Sequence, residues 1–119
     1  MSTRAAIIIK DETNSIRLYH HHDGYVSGVG FDLLERYRKK LDDTAMCLDI
    51  EEIANELVKD SSDEYEIAAC LHGDEEYLYT IDIQNREITV QQGFCDDNGE
   101  FKVDQAYTYD EIKTRWEEA

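Results

Sequence analysis

The sequence predicts one α+β domain over residues 1–119: an antiparallel sheet of about six strands with about three helices mainly on one face. Three observations carry that prediction. Apolar residues alternate with period two over much of 65–103, and they recur with helical period over 31–41 and 50–57. The links between these runs are short and rich in Asp, Asn and Gly.

Ala5-Ala6-Ile7-Ile8-Ile9-Lys10 is apolar on both faces, which suits a strand inside a sheet. Asp11-Glu12-Thr13-Asn14 is turn material, and Ile16 and Leu18 alternate with Arg17 and Tyr19, so a second strand closes a hairpin. A polar loop follows from His20 to Gly30. Phe31, Leu34, Tyr37 and Leu41 then form a helical stripe. A second helix opens at Asp49, where Asp49 and Glu52 have capping-box spacing, with Ile50, Ile53, Ala54 and Leu57 as its apolar face. Lys59-Asp60-Ser61-Ser62-Asp63 is the loop expected to end it.

Beyond it, Tyr65, Ile67, Ala69 and Leu71 share one face of a strand. The same holds for Tyr77, Tyr79, Ile81 and Ile83, for Ile88 and Val90, and for Phe101 and Val103. With turns at 72–75, 84–86 and 96–99 this predicts an antiparallel meander. Thr108 and Glu111 form another capping box, opening a short last helix that ends near Trp116.

Leu, Ile, Val and Phe make up 27 of the 119 residues, enough for a thin core. No apolar run reaches the ~20 residues of a membrane-spanning helix, and Met1–Ile7 lacks the apolar stretch of a signal peptide. Cys47, Cys70 and Cys95 are odd in number and widely spaced, which suits reduced thiols in a cytosol. The net charge is −16, unevenly spread. Residues 1–40 hold seven Lys/Arg against five Asp/Glu, and residues 41–119 hold five against twenty-three. Such charge disfavours nucleic acid and anionic membranes as direct partners and favours a basic protein.

The opposite face of the meander would carry Glu66, Glu76, Asp82, Glu87, Glu100 and Asp104, together with Lys102. This paved face is the first candidate site, for a basic partner. Ordered carboxylates beside tyrosines can occupy a groove meant for DNA phosphates, so a DNA mimic is one form this role takes.

The second candidate is the loop His20–Gly30. On an extended segment His20 and His22 would point the same way, with Asp23 as a third polar group and Cys70 and His72 as outlying members. No paired Cys or His spacing supports a metal centre, so neither metal nor cofactor is assigned. His22, Asp23 and Tyr25, with Arg4 and Arg17, would supply a base and cations for an anionic substrate, but the spacing demands no reaction. Ser27, Gly28 and Gly30 lead into a helix and would gather amides around an anion, without the full P-loop or dinucleotide pattern. Arg36-Tyr37-Arg38-Lys39-Lys40 is a basic helix surface, and Asp96-Asp97-Asn98-Gly99-Glu100 reads as a hairpin turn.

The N-terminal third carries a resemblance. Ser2-Thr3-Arg4, the isoleucine strand ending in Lys10-Asp11, Leu18-Tyr19-x-His21-x-Asp23-Gly24-Tyr25 and Gly28-Val29-Gly30 resemble a group of small bacteriophage and prophage proteins. These share an S-T-R start and a Tyr-x-His-x-Asp-Gly-Tyr-Pro-x-Gly signature, and Val26 stands here in place of the proline. The resemblance covers about residues 2–34 and brings no assigned activity. It implies a phage accessory protein in the bacterial cytoplasm, of the kind used for host takeover or anti-defence. The expectation is therefore a non-enzymatic protein that masks a basic site on a host partner. The alternative is a small-ligand or anion-binding protein, enzymatic or not, built on Arg4 and the His20–Gly30 loop. Oligomeric state is not legible.

Overall fold

The computed structural model describes residues 3–60 and 65–119. Ser2 of the N-terminal motif, and Ser61, Ser62 and Asp63 of the loop expected after the second helix, lie outside the described residues. The hairpin forms as its pattern predicts. Strand β1 (Arg4–Lys10) pairs antiparallel with β2 (Ser15–His20), setting Ile7 opposite Leu18 and Ile9 opposite Ile16. The Asp11 carboxylate accepts from the Thr13 and Asn14 amides and closes the turn.

Helix α1 (Phe31–Asp42) follows a π-helical turn at Val26–Gly30, and α2 (Ile50–Asp60) follows it. Asp49 caps α2 through the amide of Glu51, one position earlier than a capping box would. β3 (Tyr65–Ile67) is only three residues long. β4 (Glu75–Asp82), β5 (Glu87–Cys95) and β6 (Phe101–Tyr107) form consecutive antiparallel hairpins. α3 (Tyr109–Glu118) closes the described chain, and both hydrogen bonds of its Thr108–Glu111 capping box are made.

The strand order is β3-β2-β1-β4-β5-β6, which corrects two details of the expected meander. The strand expected over Tyr65–Leu71 stops at Ile67 and sits at the far edge beside β2. β1 and β4 pair in parallel, so the sheet is mixed although mostly antiparallel. The physical reason lies in β1. A buried strand must satisfy the backbone N–H and C=O groups along both of its edges, and β2 pairs with only one. The long crossover through α1, α2 and β3 delivers β4 to the other side with the parallel sense that such a connection allows.

The helices pack on the face that bears Ile7, Ile9, Leu18, Tyr79, Ile81, Ile88 and Val90. Leu33, Leu34, Tyr37, Leu41, Ile53, Leu57 and Ile112 join them in one buried cluster. Burying a side chain of this class contributes roughly 1.5–3 kcal/mol, so this layer dominates stability. The Cα radius of gyration, 13.5 Å, is that of a compact chain of this length. Among the described residues no helix is long and apolar enough to cross a membrane.

Candidate functional site

Two regions concentrate polar chemistry, and neither is quite where the residue pattern pointed. The first lies on the sheet face away from the helices. Ala6 and Tyr19 face each other there in register, and both are buried. The cover comes from residues 68–74, which pass from β3 to β4: the His72 ring stacks on Tyr19 at 3.7 Å between centroids.

Arg4, Tyr19 and Asp74 close this region. Arg4 Nη1 donates to the Tyr19 hydroxyl at 3.2 Å and to Asp74 Oδ2 at 2.8 Å, and the Tyr19 hydroxyl donates to Asp74 Oδ1 at 2.8 Å. Burial raises the Tyr19 phenol above its ordinary value, and Asp74 adds to that rise while Arg4 opposes it. Beneath them the buried Glu75 carboxylate accepts from the amides of His72 at 2.7 Å and Gly73 at 2.8 Å. Cys95 Sγ lies 3.8 Å from Glu75, and burial followed by that carboxylate pushes the thiol up, away from a nucleophilic thiolate. His21 sets its ring edge-on to Tyr19 and pairs with Glu66. The Arg4–Tyr19–Asp74 bonds and the Glu75 carboxylate beneath the His72 and Gly73 amides make a clamp. It pins residues 68–74 over the sheet.

The His20–Gly30 loop does not assemble as an anion cradle. The amides of Gly28 and Val29 are taken by the carbonyls of Tyr25 and Asp23, each at 2.9 Å. A Cβ on Gly28 would lie 2.0 Å from the Asp23 carbonyl oxygen, so that glycine serves close backbone approach. Ser27 is exposed and Gly30 is buried within the π-helical turn. His20 is buried against Tyr65, with ring centroids 4.4 Å apart, whereas His22 is exposed beyond the end of β2. Tyr25 is 41% exposed and donates to Asp23, which itself adopts φ 53°. Of the residues grouped with this loop, Arg4 and His72 join the clamp instead. Among the described residues no group of three His, Cys, Asp or Glu is placed to hold a metal ion.

The acidic sheet face is also reorganised. Glu66 sits on edge strand β3 and Glu76 at the irregularity between β1 and β4, with β2 and β1 between those two strands. Asp104 is exposed at a bulge in β6, and Glu100 lies in the turn before that strand. Glu87 is half-buried. Asp82, expected on the solvent side, is 6% exposed, and its Oδ1 accepts from the Gln84 and Asn85 amides to form a turn. Along the middle of β4 and β5 this face carries neutral residues: Leu78 faces Gln91 and Thr80 faces Thr89. Period-two alternation identified the face but not the residues recruited by turns and bulges.

The second region is on the helical side. Asp49, Glu51, Glu52, Asn55, Glu56 and Lys59 line an open hollow of about 540 Å³ on α2. Asp43 and Met46 lie exposed in the preceding segment, and Asp49, Glu52 and Glu56 also border a smaller hollow with Met46, Cys47 and Leu48. The residue pattern assigned α2 only a core role, because its acidic positions fall between the core positions. Three members of the basic run on α1 are engaged: Arg36 Nε donates to Asp32 at 3.1 Å, the Arg38 guanidinium lies 4.7 Å from the Trp116 ring centroid, and Lys40 Nζ is 3.9 Å from Glu56, while Lys39 is exposed.

No protein-family model matches the chain, nor does any curated protein or solved structure compared with it.

Proposed function

We propose that the chain is a non-enzymatic binding protein that holds a basic protein partner through the acidic outer surface of α2 and the segment leading into it. The observation that carries this reading is the hollow bordered by Asp49, Glu51, Glu52 and Glu56 beside the exposed Met46. Asp49, Glu52 and Glu56 also border the smaller hollow with Met46 and Leu48, and carboxylates beside apolar side chains suit a Lys or Arg, which brings an aliphatic stem and a cationic head. The net charge of −16 adds long-range attraction and fast association that weakens with salt.

The resemblance of residues 2–34 to bacteriophage proteins supports a finer form of the proposal. In that form the chain is a phage accessory protein acting in the bacterial cytoplasm, and its carboxylates take the place of nucleic-acid phosphates on a host protein, for anti-defence or host takeover. The test is capture from bacterial lysate on the immobilised chain at low and high salt. Capture should be lost at high salt and in Glu51→Lys/Glu52→Lys, and kept in Glu76→Lys/Asp104→Lys on the sheet side. Equal capture by the α2 variant, verified as folded, overturns the reading.

A further inference from the structure

We infer that the cleft between the Ser15–Arg17 edge of β2 and the backbone of Ala68–Ala69 is an oxyanion site read by the Arg17 guanidinium. The cleft is lined by Ile8, Ser15, Arg17, Ala68 and Ala69 and has a volume of about 220 Å³. That is roughly seven times the ~30 Å³ share of one water molecule in the liquid, room for a small carboxylate or phosphate. β3 ends opposite Leu18, and the Ala68 amide bonds the Arg17 carbonyl, so the chain leaves the sheet edge there and opens the cleft.

Arg17 is the reason to assign a ligand. Its Nη1 donates to the Ala69 carbonyl at 3.0 Å. Its Nε is buried without an acceptor, and no carboxylate of the described residues lies within ion-pair distance of it. Arg38 Nε is likewise without an acceptor, but the Arg38 guanidinium lies over the Trp116 ring. Stapling residue 69 needs one N–H and no charge. A partly buried guanidinium left with unmatched donors is costly unless something completes it. Arg offers a planar fork matched to two oxygens of one oxyanion. Ser15 adds a hydroxyl at the rim, and Lys10, opposite Ser15 in register, adds a second cation on the same face, 3.8 Å from Asp82.

The shared chemistry is an oxyanion, and the two sources are separated by titrating the ¹⁵N-labelled full chain with inorganic phosphate and, separately, with acetate at constant ionic strength. A saturable shift of the Arg17 Nε–H signal and of the Ser15, Ala68 and Ala69 amides is expected with at least one probe. The probe that saturates at the lower concentration identifies the source. Arg17→Gln, which removes the charge and the guanidinium fork, should weaken binding at least tenfold. Ser15→Asp places a carboxylate at the exposed rim and should do the same without touching Arg17. Shifts that rise linearly with both probes, or that persist in Ser15→Asp, overturn the proposal.

Discussion

Arg86 donates through Nη1 to the main-chain carbonyl of Asp43 at 2.9 Å, across 43 positions of sequence. The same nitrogen reaches the Lys40 carbonyl at 3.1 Å, and Nη2 donates to Met46. One side chain from the β4–β5 turn therefore satisfies carbonyls that the end of α1 leaves without helical partners. It adds a positive charge at the negative end of the helix dipole, and it ties the sheet to the segment that leads to the acidic face of α2.

Arg86→Ala should therefore destabilise the fold by about 2 kcal/mol, the scale of charge-assisted hydrogen bonds lost together. Arg86 also adopts φ 56°, which L-residues other than glycine hold at a cost of roughly 1–2 kcal/mol. Arg86→Gly should thus cost less than Arg86→Ala by about 1 kcal/mol, because glycine releases that strain. Urea unfolding of the two variants checks the order. Equal losses would mean the turn relaxes when the guanidinium is gone.

The clamp gives a local prediction. Tyr19→Phe removes the hydroxyl that joins Arg4 to Asp74 while keeping the ring under His72. The expected global cost is about 1 kcal/mol, that of one hydrogen bond. The larger effect should be faster hydrogen exchange at the His72 and Gly73 amides, whose acceptor is Glu75. Unchanged exchange there would show that Glu75 alone holds the segment.

These contacts show what the residue pattern held and what it did not. Features decided by neighbours in sequence were legible: the Asp11 turn, the β4–β5–β6 hairpins, and the Thr108–Glu111 box. Features decided by distant partners were not. Alternation assigns a side chain to a face without naming the adjacent strand, so β3 gave no sign that it belonged beside β2. Asp82 looks like any outward carboxylate until the turn folds back on it. Asp74 and Glu75 read as loop acids, because Arg4 and Tyr19 come from the opposite end of the chain. The carboxylates of α2 were hidden for a different reason. The eye follows a helix's apolar stripe, and the complementary face carries charge in most surface helices.

Alkaline pH provides a test of the core. Burial raises the phenols of Tyr65 and Tyr79 well above their ordinary value of 10.0, and Asp32, bonded to the Tyr65 hydroxyl at 2.8 Å, adds to the first. Above about pH 10 the unfolded chain releases these protons while the folded chain keeps them, so stability falls as pH rises. Stability from these groups is fully present below that pH. Each should contribute a loss of about 1.4 kcal/mol per pH unit beyond it. Tyr79→Phe loses the 2.6 Å hydrogen bond to the Gly24 carbonyl but should unfold with a shallower alkaline slope by about that amount. Urea midpoints at a series of alkaline pH values measure it, and an unchanged slope would refute the assignment to Tyr79.

Glycine substitution separates steric from conformational constraint. At Gly28 a Cβ would meet the Asp23 carbonyl oxygen at 2.0 Å and its carbonyl carbon at 2.9 Å, backbone atoms that no rotamer change can move. Relief requires Asp23 to withdraw, which breaks the bond from the Val29 amide and disturbs the turn that leads into α1. At Gly73 nothing lies within 4 Å of the added Cβ, but φ is +102°. Gly73→Ala should therefore cost roughly 1–2 kcal/mol of backbone strain and leave the rest of the spectrum unchanged. Gly28→Ala should cost more, about 3 kcal/mol or above, with shifts that spread to Val26, Val29 and the first turn of α1. If Gly28→Ala proves the milder of the two in thermal unfolding, the tight return of the chain onto Asp23 is not a requirement of the fold.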